Sequence, residues 1–267
     1  MKIGMFDSGV GGLTLLHKAI QMMPEEAYFY YADTDHVPYG KKTATAVIGY
    51  SDEAVSFLQS HGCEAVVIAC NTATSVAAEY LRKKYDIPII GIEPAVKPAV
   101  AKNKAGRILV IATPITVRER KLIELVSRVD EAHRVDMLAL PELVTFAEKG
   151  EFDSPDVCNY LRTTLDAFFE ANKVKGRDGI THDEYDVLVF GCTHFNHFEG
   201  ALRKYFGDSI LMIDGAEGTI KNLKHIMEEK GAVSEGRFSV EFFESGRKVS
   251  DKSKLDFYRS LLTHLDK

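Results

Sequence analysis

The chain has 267 residues, 45% of them apolar, enough to bury one large core or two medium ones without covalent staples, and its length favours two domains. A formal charge of −6 and the lack of a Lys/Arg-rich block argue against a nucleic-acid binder, whose affinity comes mostly from neutralising phosphates, so small molecules are the expected partners. No apolar run is long enough to span a membrane, Asp7 comes too early for a secretory signal, and cysteines at 63, 70, 158 and 192 lack CxxC spacing, so a cytoplasmic protein with reduced thiols and no structural zinc is expected.

Short β-rich runs alternate with amphipathic helical windows, the pattern of an α/β fold with mainly parallel sheets flanked by helices. Strands are expected at Lys2–Phe6, Tyr28–Ala32, Ala65–Ala69, Ile87–Ile92, Arg107–Ile111, Arg134–Leu138, Val187–Phe190, Ile210–Ile213 and Phe238–Phe243. A helix over Leu13–Met23 stops at Pro24, and one over Thr45–His61 stops at Gly62, which suits a left-handed C-cap. Another fills Ser154–Lys173, with Ser154 as N-cap and Pro155 in the first turn, where its missing N–H costs nothing. The polar stretch Lys173–Glu184 reads as an exposed loop. Pro94 and Pro98 bracket a domain connection, and a return crossing falls near Asp208–Asp214. The expected division is 1–97 with 211–267 as one α/β domain and 98–210 as a second.

Residues just past the carboxyl ends of parallel strands line ligand crevices, and Asp7, Asp33, Cys70, Thr113 and Cys192 all fall there. The first such turn, Asp7-Ser8-Gly9-Val10-Gly11-Gly12-Leu13-Thr14, lets backbone amides approach an anion. It has neither GxGxxG spacing nor a Walker ending, so a nucleotide reading is weak. A tight turn explains Gly11 and Gly12 but leaves the carboxylate and hydroxyl of Asp7-Ser8 unexplained. Asp33-Thr34-Asp35-His36-Val37-Pro38-Tyr39-Gly40 carries metal-ligand types without further ligands at suitable spacing, and reads as a polar loop whose Tyr39-Gly40 offers backbone and phenol donors to a ligand. The other histidines, His197 among them, read as surface residues.

Two segments repeat one pattern. Ala65–Ala69 leads into Cys70-Asn71-Thr72, and Asp186–Gly191 into Cys192-Thr193-His194: an apolar run, a small residue, a thiol, then polar side chains. One cysteine after a buried strand is usually an apolar filler, which is how Cys63 and Cys158 are read. Two in matched polar contexts suit a substrate held between two bases. Moving an α-hydrogen from one face of an amino acid to the other needs a base on one side and an acid on the other, and a thiolate–thiol pair supplies both. Asp7 and His194 are placed to adjust those protons, and helix N-termini after Cys70 and Cys192 would favour negative charge.

At these residues the chain resembles the glutamate racemases of the aspartate/glutamate racemase family. The likeness rests on Asp7 to Thr14, Pro38-Tyr39-Gly40, Cys70-Asn71-Thr72-Ala73-Thr74, Gly91-Ile92-Glu93-Pro94-Ala95, Thr113 with Thr116, and Gly191-Cys192-Thr193-His194. It implies two similar α/β domains with the active site in the cleft between them, no cofactor and no metal, a homodimer, and interconversion of L- and D-glutamate for peptidoglycan synthesis. By the same resemblance Cys70 is the base toward D-glutamate and Cys192 the base toward L-glutamate. Asp7 and His194 are their proton-handling neighbours, and Glu148 falls where the family usually has an acidic residue near the catalytic cysteine. Ser8, Tyr39, Gly40, Asn71, Thr72, Thr113, Thr116 and Thr193 resemble the substrate-binding set. The chain departs from the family where proline commonly follows two residues after the histidine, since Phe195-Asn196-His197 stands there, and where Ala139-Leu140-Pro141 lacks a cysteine. Racemisation of another small dicarboxylate such as aspartate, or dicarboxylate binding without turnover, are the alternatives.

Overall fold

The computed structural model describes residues 1–103, 105–174, 184–234 and 236–266, without the side chains of 173 and 174, so the loop expected over 173–184 lies almost wholly outside the described residues. Residues 1–93 fold as β1 (Lys2–Asp7), α1 (Leu13–Met22), β2 (Ala27–Ala32), α2 (Ala44–Ser60), β3 (Ala65–Ile68), α3 (Asn71–Lys84) and β4 (Ile89–Gly91). Next come α4 (Val96–Lys102), β5 (Arg107–Ala112), α5 (Pro114–Arg118), α6 (Arg120–Val129), β6 (Val135–Ala139), α7 (Glu142–Glu148), α8 (Pro155–Val174), β7 (Tyr185–Gly191), α9 (Glu199–Phe206) and β8 (Leu211–Ile213). The chain closes with α10 (Ala216–Glu229), β9 (Ser239–Glu244), β10 (Arg247–Lys248) and α11 (Lys252–His264). It divides into two compact units, Met1–Glu93 with Gly215–Lys267, and Pro94–Asp214.

The first unit is built on a six-stranded sheet in the order β10-β9-β2-β1-β3-β4, parallel except for β10, which runs antiparallel to β9. Its central strands are apolar without alternation because helices cover both faces. On β2 the two-residue period sends Phe29 and Tyr31 into a core with Phe6, Leu58, Ile68 and Ala77, closed by α2 and α3. Tyr28 and Tyr30 emerge on the other side, where the Tyr28 hydroxyl donates to Ala19 O of α1 at 3.0 Å and the Tyr30 ring meets Tyr258 of α11. Helix α2 starts at Thr43, whose hydroxyl accepts from Ala46 N–H at 3.3 Å, and stops at Gly62, in the left-handed region at φ 81°.

The second unit holds a parallel four-stranded sheet in the order β6-β5-β7-β8, with Ile108, Val110, Val187 and Val189 packed against Val96, Ala99 and Leu122. At the amino-terminal ends of its strands, Asp136 accepts from Arg107 Nε at 3.0 Å and from the Tyr185 hydroxyl at 2.8 Å. Helix α8 begins as expected, with Ser154 Oγ accepting Val157 N–H at 3.3 Å and Pro155 as its first residue.

Several expected boundaries move. The strand expected over Ile87–Ile92 shortens to β4, because Pro88 has no N–H to give the ladder and only its carbonyl takes part, accepting Val66 N–H. The units divide at 93/94 and 214/215 rather than at 97/98 and 210/211. Ala95 and Val96 are buried in the second core, and β8 pairs with β7 through Val187 opposite Leu211. After Cys192 a 3₁₀ turn over Thr193–Phe198 precedes α9, so no α-helix N-terminus follows that thiol directly.

Candidate active site

In the first unit, β1 and β3 are neighbours with Phe6 opposite Ile68, and Ala69 N–H donates to Phe6 O at 2.7 Å. That register sets Asp7 beside the segment leading into Cys70. Asp7 is fully buried and its Oδ1 accepts Gly9 N–H at 2.9 Å, curling the chain tightly into α1. Gly12 makes this turn possible, since a Cβ there would lie 2.5 Å from Asp7 Cβ and 2.9 Å from the Tyr30 hydroxyl.

Cys70 is the N-cap of α3, with Sγ accepting Ala73 N–H at 3.4 Å and lying 3.8 Å from Ser8 Oγ. A sulfur at the amino end of a 14-residue helix sits in a field that favours negative charge on it. Asn71, the first helical residue, is 4% exposed, and neither its Oδ1 nor its Nδ2 has a hydrogen-bond partner among the described residues. Thr72 follows, also buried.

The Tyr39-Gly40 turn belongs to a 3₁₀ segment, Tyr39–Lys41, that packs against α3. The phenol expected to face a ligand is instead committed within the fold. Tyr39 is 1% exposed and its hydroxyl donates to Asp33 Oδ2 at 2.6 Å. Burial, then the Asp33 carboxylate, then charge at Cys70 hold that phenol protonated far above the ordinary tyrosine range.

The second unit repeats the arrangement at the carboxyl ends of β5 and β7, paired through Ala112 opposite Gly191. Thr113 caps α5, accepting Thr116 N–H at 3.4 Å, and the two threonine hydroxyls lie 3.0 Å apart, both residues buried. Cys192, Thr193 and His194 are buried in sequence. His194 Nδ1 is 3.7 Å from Cys192 Sγ, and its Nε2 is 2.6 Å from Glu148 Oε1, at the end of α7. Burial opposes protonation of this imidazole, but the bonds to Cys192 and Glu148 outweigh it and raise the His194 pKa well above its ordinary value. Both ring nitrogens are thereby engaged, Nδ1 by the Cys192 sulfur and Nε2 by the Glu148 carboxylate.

The site residues expected from sequence thus collect into two groups: Asp7, Ser8, Tyr39, Gly40, Cys70, Asn71 and Thr72 in the first unit, and Thr113, Thr116, Glu148, Cys192, Thr193 and His194 in the second. Sequence reasoning missed Asp33 as a hub and misread His197. That histidine is 2% exposed rather than at the surface, its ring stacked on Phe152 at 5.0 Å. The apolar Phe195 and Phe198 around it were the available signal of a buried turn. No group of three or more His, Cys, Asp or Glu side chains is arranged to hold a metal, and no helix is long and apolar enough to cross a membrane, among the described residues.

Residues 13–223 match the profile of the Asp/Glu/Hydantoin racemase family. The chain is 45% identical to a glutamate racemase of Lachnospira eligens, covering 100% of this chain and 98% of the relative. It is 44% identical to glutamate racemase 2 of Bacillus subtilis, covering 100% and 97%. Among solved structures it is similar to the glutamate racemase of Thermus thermophilus in complex with β-chloro-D-alanine, at 30% identity and a TM-score of 0.72, covering 100% of this chain and 93% of that one.

Proposed function

The chain belongs to the Asp/Glu/Hydantoin racemase family, and from that premise we propose that it interconverts L- and D-glutamate by a cofactor-independent, two-thiol proton transfer at the α-carbon. The observation that carries this reading is the pair of thiols past matched strand ends, each with its own means of bearing charge. Cys70 has the α3 amino end and Ser8, and Cys192 has the His194–Glu148 pair.

From L-glutamate, the Cys192 thiolate takes the α-proton as the Cys70 thiol delivers its own to the opposite face. The new chirality leaves Cys192 as thiol and Cys70 as thiolate, and the reverse reaction exchanges the roles. His194 holds the positive charge that steadies the Cys192 thiolate, with Glu148 fixing the imidazolium; Asp7 is the corresponding proton-handling group beside Cys70. The carbanion-like transition state gathers charge on the α-carboxylate, where neutral donors from Ser8, Thr72, Thr113, Thr116 and Thr193 stabilise it, while the Tyr39-Gly40 backbone binds substrate alike in the ground state and the transition state. Asn71 supports a polar ligand most directly. A buried amide lacking a partner costs about 1–3 kcal/mol, which a bound carboxylate at Nδ2 and an ammonium at Oδ1 would offset.

The test is solvent exchange. In deuterium oxide, wild-type protein should place deuterium at the glutamate α-carbon from either enantiomer, with polarimetry showing racemisation and aspartate reacting far more slowly. Cys70→Ser and Cys192→Ser should each depress turnover by about 10³-fold or more while the circular dichroism stays native, since a hydroxyl is a far poorer base than a thiolate. Exchange with neither enantiomer would leave a binding protein, and normal turnover by either variant would remove the two-thiol mechanism. D-Glutamate production for peptidoglycan synthesis, a cytoplasmic location and a homodimeric state belong to the same proposal, the last checked by sedimentation.

A further inference from the structure

Asp33 follows β2 and is 2% exposed, and its backbone N–H donates to Asp7 O at 3.0 Å. Its carboxylate gathers three side chains: the Tyr39 hydroxyl at 2.6 Å, His36 Nδ1 at 2.9 Å and the Ser245 hydroxyl at 2.8 Å. Ser245 stands 212 positions away in sequence. Its Oγ also accepts Asp35 N–H at 3.0 Å, and its own N–H donates to Ala32 O at 2.8 Å. One hydroxyl therefore bridges both ends of the segment that begins the Asp33-to-Gly40 loop.

The conformation of Ser245 adds an independent observation. Ser245 and Gly246 connect β9 to β10 as a two-residue turn with φ of 42° and 80°, and Glu244 pairs with Arg247 across it. Positive φ at both central residues defines a type I′ turn, in which Asn or Gly is favoured at the first position and serine is not. The hydroxyl offsets that backbone cost through its two hydrogen bonds. From Asp33 the connection runs to Tyr39, whose ring packs on Phe6 and Tyr50 and whose turn packs on α3, the helix led by Cys70 and Asn71.

We propose that Ser245, at the tip of the carboxyl-terminal hairpin, is a positioning residue that holds the Pro38-Tyr39-Gly40 turn in register for substrate through Asp33. The inference rests on the reading of that turn as part of the glutamate site. Ser245 acts on binding and leaves the thiols untouched, so it governs KM and not kcat.

Ser245→Gly removes the hydroxyl while relieving the backbone at φ 42°, so the fold is kept. It should raise KM for both glutamate enantiomers about tenfold, the scale of one hydrogen bond to a charged group, with kcat within about twofold of wild type. Ser245→Asn tolerates the left-handed region and brings an amide donor toward Asp33, so it should recover most of the loss. In a Tyr39→Phe background, Ser245→Gly should change KM by less than about twofold, because the path through Asp33 is already cut. Amide hydrogen exchange over residues 33–41 should quicken in Ser245→Gly and return in Ser245→Asn, a readout that needs no turnover. Unchanged exchange and KM in Ser245→Gly, or an equal KM effect in both backgrounds, would overturn the proposal. Wild-type protein inert toward glutamate would instead overturn the functional reading, while the exchange experiment would still decide whether Ser245 holds the turn.

Discussion

His194 is a buried imidazole with the Cys192 sulfur against one ring nitrogen and the Glu148 carboxylate against the other. Its pKa is raised in the folded chain, so folding takes up this proton more tightly than the unfolded chain does. The contact contributes stability that is complete below the ordinary histidine value of about 6.5 and is lost as pH rises through the folded-state value. Glu148→Gln removes one of the two groups that raise it. The alkaline limb of the kcat/KM profile from L-glutamate should therefore move to lower pH, and the stability lost on alkalinisation should be lost earlier, both measurable by titration from pH 6 to 10. Cys63 is the contrasting thiol. Burial, opposed by the nearby Lys2 charge and helped slightly by Glu64, pushes it up to about 12, so it stays protonated at neutral pH. Iodoacetamide at pH 8 followed by peptide mass mapping should leave Cys63 unmodified in the native protein and label it on unfolding.

At the scale of elements, the strand ends decide which small residues are needed. Gly191 ends β7 where a Cβ would lie 2.8 Å from Ala112 Cβ and 3.2 Å from Ile111 O. Gly191→Ala must push β5 and β7 apart just below Cys192, and should cost about 1–3 kcal/mol in urea unfolding along with much of the activity. Gly49 lies exposed within α2, where an added Cβ would enter open space with no neighbouring atom inside 4 Å. Gly49→Ala should raise stability by about 0.5–1 kcal/mol in the same assay and leave turnover unchanged, through the helix preference for alanine. Opposite signs from one chemical change separate close packing from backbone entropy.

For the whole molecule, ligand binding and folding are linked. A ligand that binds only the folded chain stabilises it by about 2.7 kcal/mol when present at a hundred times its Kd. Glutamate should raise the thermal midpoint of wild type in proportion to the logarithm of its concentration, and aspartate should do so less. Asn71→Ala should weaken the response to glutamate while unfolding at an equal or higher midpoint without ligand, because it deletes a buried amide that has no hydrogen-bond partner among the described residues.

The amino-acid order determines by itself whatever depends on near neighbours. The apolar runs of β1, β3, β5 and β7 name themselves as strands covered on both faces, Gly62 and Pro155 mark helix ends, and Cys70 and Cys192 fall after strands because each run simply stops there. Tertiary structure alone decides the pairings between distant positions. Glu148 meets His194 across 46 residues, Asp33 meets Ser245 across 212, and β8 joins the second sheet although the chain is about to leave that unit. A hydrophobic period records which face of an element is buried, whereas a hydrogen bond between side chains records which strand lies next to which. Strand order is set by the packing of the complete core, and no local window contains it.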